Sequence, residues 1–88
     1  MNSDSDYTDL VNLLYKDNLN YLWIIIAELI NSNNNYDYKS YSYNINELNL
    51  LKEAINKSTI PQKDKEKLLN HINGGLEVLL KEFEKINQ

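Results

Sequence analysis

Six apolar residues, Leu69, Ile72, Leu76, Leu79, Phe83 and Ile86, recur at intervals of 3, 4, 3, 4 and 3. That spacing stacks side chains on one face of an α-helix, whereas a strand would need a period of two. The last third of the chain therefore reads as a helix whose apolar stripe must be covered by other helices. Leu68 and Leu80 widen the stripe, and Glu77–Lys81 is a favourably oriented i,i+4 pair. Pro61 suits a first helical turn, because the amide it lacks would be unpaired there. The predicted helix runs from Pro61 to Ile86. Asn73-Gly74-Gly75 falls inside it, and each interior glycine costs about 1 kcal/mol relative to alanine. The heptad phase continues across the glycines, which favours one bent helix. A turn at Asn73-Gly74-Gly75, dividing it in two, is the alternative. Paired glycines would also let a neighbouring helix approach closely.

The front of the chain carries a second periodic region, from about Asp6 to Asn31. Val11, Leu14, Tyr21 and Ile25 form one helical stripe, and Tyr15, Leu19, Leu22, Ile26 and Leu29 form another. Ser5 is a candidate N-cap, and Asp6 and Asp9 would place negative charge in the first turn. The run LNYLWIIIAELI is apolar nearly all round, so it should be buried on several sides. Three consecutive isoleucines favour a strand at Trp23–Ile26, but the surrounding period favours helix. A shorter helix is predicted from Ile45 to Lys57 on Leu48, Leu51 and Ile55, with Asn44 and Glu47 in a loose capping box. Two helices of about 26 residues would each be about 39 Å long. The expected fold is all-α: one domain, a small antiparallel bundle of three helices, or four if the chain turns at Asn73-Gly74-Gly75.

Between the first two helices lies NSNNNYDYKSYSYN, read as a loop because consecutive asparagines end helices. The alternation Tyr36/Tyr38 and Tyr41/Tyr43 would also suit a short irregular hairpin. Four of the seven tyrosines fall within eight residues here. Tyrosine offers a large contact area at low entropic cost, with a hydroxyl for a hydrogen bond, and the serines and asparagines add adaptable polar contacts. Tyr36, Asp37, Tyr38, Tyr41 and Tyr43 are the candidate partner-binding residues. The competing reading folds two of these tyrosines back over the end of the core. Tyr7, Tyr15, Tyr21 and Trp23 read as core or core-edge residues.

Little in the sequence supports catalysis. There is no cysteine, and the 88 residues hold a single histidine, so a thiolate nucleophile, a disulfide and a multi-histidine metal site have no residues to build them. His71 sits beside Lys67, one turn back, with no acid three or four residues away, and reads as a solvated surface histidine. Gly74-Gly75 lacks the Lys-Ser/Thr of a phosphate loop. No metal, cofactor or enzymatic activity is expected.

The net charge is −4, unevenly spread: residues 1–38 hold six acids and one lysine, and residues 39–88 seven acids and eight lysines. Acidity disfavours nucleic acid, while the acidic front would attract a basic protein surface. All nine bases are lysine, which removes the bidentate clamp that arginine provides. The abundance of Asn, Ile, Lys and Tyr, residues of AT-rich codons, fits a low-GC bacterium or one of its phages. The opening MNSDSDYTDL is too polar for a secretion signal, and Leu19 to Ile30 is too short to span a bilayer, so a cytoplasmic protein is expected. In size, acidity, helical pattern and tyrosine-bearing connection, the chain is similar to the helical immunity proteins of bacteriocins and colicins, and small phage-encoded inhibitors of bacterial defence share its size and acidity. This resemblance is one of class and carries no residue correspondence; it implies a protein that binds and neutralises another. The alternatives are a homo-oligomer, such as a homodimer, acting through the stripe Leu69, Ile72, Leu76, Leu79, Phe83 and Ile86, and an acidic mimic of nucleic acid.

Overall fold

The computed structural model describes residues 7–32 and 38–86. Among them are four helices and no strand: α1 (Thr8–Asp17), α2 (Leu19–Asn31), α3 (Tyr38–Lys57) and α4 (Gln62–Ile86). The expected N-cap Ser5 and the first helical acid, Asp6, lie outside the described residues.

The front helix is broken, where one continuous helix was expected. Asn18 adopts extended backbone (φ −168°, ψ 118°) and serves both flanking helices. Its amide donates to the Leu14 carbonyl at 2.9 Å, closing α1, while its side-chain Oδ1 accepts from the Asn20 amide at 2.9 Å, opening α2. Asparagine makes such a break inexpensive, because its side chain replaces the backbone partners that the interruption removes. The break lets both arms reach the core, through Val11 in α1 and through Leu22 and Ile26 in α2. Trp23 to Ile26 are helical, as the longer periodicity requires.

α3 begins seven residues earlier than predicted, which overturns the loop and hairpin readings from Tyr38 onward. Tyr41, Asn44, Leu48, Leu51 and Ile55 form one stripe at intervals of 3, 4, 3 and 4, and all five are buried. A polar residue at the second position hid the front of this stripe. Asn44 is therefore inside the helix and caps nothing; its Nδ2 donates to Ser32 Oγ at 3.4 Å. Ser58 Oγ donates to the Ile55 carbonyl at 2.6 Å, and Ile60 is buried beneath the turn. Lys65 Nζ donates to the carbonyls of Asn56 and Ser58, each at 3.1 Å, satisfying acceptors that the end of α3 leaves open.

α4 runs unbroken through Asn73-Gly74-Gly75, so the alternative turn there is not taken. The two glycines have different surroundings. Around Gly74 there is open space, whereas the Ile30 side chain occupies the place where a Cβ on Gly75 would sit. Gly75 thus sets the distance between α2 and α4. The expected Glu77–Lys81 ion pair is not formed; among the described residues, Lys57–Glu53 at 3.3 Å is an exposed i,i+4 pair on α3.

Contacts along the helices give their arrangement. Tyr7 reaches Glu47 and Asn12 reaches Thr59, so α1 runs along α3 toward the end of α3. Trp23 lies against His71 and Ile30 against Gly75, so α2 runs along α4 in the direction of α4. α1 packs against α3, and α2 packs against both α3 and α4, with α1 and α2 joined at Asn18 and in contact with each other. Among the described residues, no helix is long and apolar enough to cross a membrane.

Candidate protein-binding surface

From Tyr38 onward the tyrosine segment is helical. Tyr36 and Asp37 lie outside the described residues, and Tyr38 is the first residue of α3. Tyr41 points into the core, 8% exposed, whereas Tyr43 stands out from the helix at 62%. Two residues apart on a helix, they are about 200° apart around it, so one closes the core and the other faces solvent.

The C-terminal stripe is part of the core. Ile72, Leu76 and Leu79 are buried, and Leu69, Phe83 and Ile86 pack half-buried against them. Leu68 is fully buried, while Leu80 is exposed and lies off the stripe.

His71 is half-buried, and its ring lies 4.6 Å from that of Trp23 at an interplanar angle of 40°. This replaces the expected solvated histidine: α2 packs against α4 and brings the indole against the imidazole. Among the described residues, no group of three His, Asp or Glu side chains is placed to hold a metal ion.

Three side-chain bridges fasten α1. The Tyr7 hydroxyl donates to Glu47 Oε1 at 2.9 Å and the Tyr15 hydroxyl to Asp64 Oδ2 at 2.7 Å. Asn12 Oδ1 accepts from both the amide and the hydroxyl of Thr59, at 2.9 and 3.1 Å. Both phenols are held above the usual tyrosine pKa. For Tyr7 the main cause is the hydrogen bond to Glu47, then that carboxylate's charge, then burial, with a smaller contribution from Tyr43. For Tyr15 it is the hydrogen bond to Asp64, followed by burial and charge. These partners are about half the chain apart in sequence, and nothing local marks them.

Large apolar side chains stand exposed on each of the four helices: Leu10 and Leu13 on α1, Tyr21 and Ile24 on α2, Tyr43 and Leu50 on α3, Val78 and Leu80 on α4. Residues on a helix are about 100° apart, which places Leu10 and Leu14 on the flank of α1 opposite Asn12. Asn12 faces the α3–α4 turn, so the Leu10/Leu14 flank faces α2. Likewise Trp23 and Ile30 of α2 face α4, so Tyr21, Ile25 and Glu28 on the other flank face α1. Leu13 and Ile24 lie outermost on these flanks. Leu13, Leu14, Lys16 and Asp17 line an open depression at the end of α1. Lys16, Asp17 and Glu28 are exposed on these two helices.

No known protein family matches the chain, and no curated protein and no solved structure does so either.

Proposed function

We propose that this chain is a small acidic protein-binding module that works by occupying a partner, without chemistry of its own, in the manner of an inhibitor or immunity-type protein. The observation that carries this reading is the exposed apolar surface of α1 and α2. Among the described residues the helices already enclose a core of thirteen buried apolar residues. Leu10, Leu13, Tyr21 and Ile24 are nevertheless left in water, and exposed apolar surface beyond a complete core is what an association site needs. The ionisable groups support the reading through the roles they occupy: Tyr7 and Tyr15 tie helices together, and His71 lies tilted against Trp23.

The surface differs from the tyrosine loop expected from sequence; Tyr43 of that segment is exposed and Tyr41 is buried. A photo-crosslinking residue at Leu13 should trap a partner when the chain is expressed in its native host. The same residue at exposed Glu53, on α3, should not. Equal labelling from the two positions, or none from either, would remove this surface from the account.

A further inference from the structure

We infer that Asn73-Gly74 is a self-modifying site: α4 opens locally there, Asn73 deamidates through a cyclic imide, and the isoaspartate that forms divides the helix. Of the fifteen asparagines in the sequence, Asn73 is the one followed by glycine. Glycine leaves the attacking backbone nitrogen without a side chain beside it. Asn73 and Gly74 are both exposed, and a Cβ built on Gly74 would meet nothing within 4 Å, so there is room for ring closure and for water.

The reaction needs no co-reactant but water. The Gly74 backbone nitrogen gives up its proton and bonds to Asn73 Cγ. The bond from Cγ to the side-chain nitrogen breaks, and that nitrogen leaves as ammonia. Water then opens the five-membered imide at either carbonyl. Attack at Cγ leaves aspartate. Attack at the Asn73 backbone carbonyl leaves isoaspartate, whose main chain runs through Cβ and Cγ while the former backbone carbonyl becomes the free carboxylate. An amide nitrogen is exchanged for oxygen, and nothing is oxidised or reduced.

The helix controls access to this chemistry. Closure requires the Gly74 amide to leave the i→i−4 ladder and Asn73 ψ to move far from the helical value of about −42°. α4 is unbroken here, so the reaction passes through local opening. The paired glycines favour that opening, each raising the open population about fivefold over alanine. Isoaspartate adds a carbon to the main chain and so puts the ladder out of step in mid-helix. Gly75, where Ile30 packs, is two residues beyond, and His71, which meets Trp23, is two residues before. The product therefore loosens α2 from α4 on both sides of the break. Aspartate keeps an ordinary backbone and only adds a like charge one turn before Glu77, a weak effect.

The test incubates the full chain in mildly alkaline buffer, folded and in urea, and follows it by peptide mass spectrometry, with isoaspartate identified by fragmentation. In urea Asn73 should convert ahead of every other asparagine, and isoaspartate should exceed aspartate. The folded chain should convert at the same residue but more slowly, by the factor that opening costs. Gly74→Ala keeps the helix and should slow folded-state conversion about tenfold or more, through propensity and the methyl group beside the nitrogen. Another asparagine converting first in urea would overturn the site. Equal rates folded and unfolded, or a folded chain that never converts, would overturn access through local opening. The modified chain gains a negative charge and separates by ion exchange. Its isoaspartate form should have a lower urea midpoint than Asn73→Asp, which carries the same charge on an ordinary backbone. Equal midpoints would overturn the division of α4.

Discussion

At the scale of single residues, the adjacent glycines of α4 make opposite predictions from the same substitution. Gly74 is exposed in a helix interior with nothing near its missing side chain. Gly74→Ala should therefore stabilise the fold by about 1 kcal/mol, through helix propensity alone. Gly75 is buried against Ile30. Gly75→Ala gains the same propensity but must displace a packed side chain, with overpacking costing typically about 1 to 3 kcal/mol. It should lower the urea midpoint while Gly74→Ala raises it. Adding Ile30→Ala should restore part of the loss if the contact with Ile30 is the cause. The sequence made the close approach legible, since paired glycines on an apolar stripe invite one. It did not identify the partner as this chain's own α2, because that depends on where Ile30 lands after the break at Asn18.

At the scale of elements, the least secure piece is α1, which has one buried residue, Val11, and is fastened by bridges at Tyr7, Asn12 and Tyr15. The break that allows its packing depends on the Asn18 cap. Asn18→Ala should cost about 1 kcal/mol, the usual loss on removing an N-cap, and circular dichroism with urea unfolding would measure it. The tyrosines add a pH dependence at the alkaline end. Their folded pKa values are raised, so the folded state holds protons that the unfolded state releases near pH 10. The stability they contribute is complete below that pH and is lost as pH rises through the folded values. Thermal melts should fall more steeply above about pH 10 for the wild type than for Tyr7→Phe/Tyr15→Phe. By ultraviolet absorbance, the phenols of Tyr7 and Tyr15 should titrate at higher pH in the native protein than in urea. Helical character and the end of α3 at Lys57 could be read directly from period and composition. The start of α3 could not, because Asn44 fills a core position with a polar side chain and its partner, Ser32, lies across the α2–α3 connection.

At the scale of the whole molecule, the question is which apolar surface is spent on folding and which is left over. The sequence offers two broad stripes and does not rank them. Periodicity reports that a face is apolar, but only the packing of four helices decides which face is enclosed. The C-terminal stripe is enclosed; the outer surfaces of α1 and α2 are not. Aspartate substitutions separate the two. At Leu76 or Leu79 a carboxylate would enter a dry core with no partner, which costs several kcal/mol and exceeds what a domain of this size can lose. Leu76→Asp should abolish the cooperative urea transition and leave a chain of low helicity at any protein concentration. At Leu13, 65% exposed, the same change places a charge in water and should shift the midpoint by less than about 0.5 kcal/mol. A helical, cooperatively folding Leu76→Asp monomer would mean that the heptad stripe lies at an interface between chains, and that the exposed face of α1 and α2 is a secondary surface. Unfolding of Leu76→Asp beside an intact Leu13→Asp would leave the outer face of α1 and α2 as the surface free to evolve toward a partner, because substitutions there do not draw on the stability of the bundle.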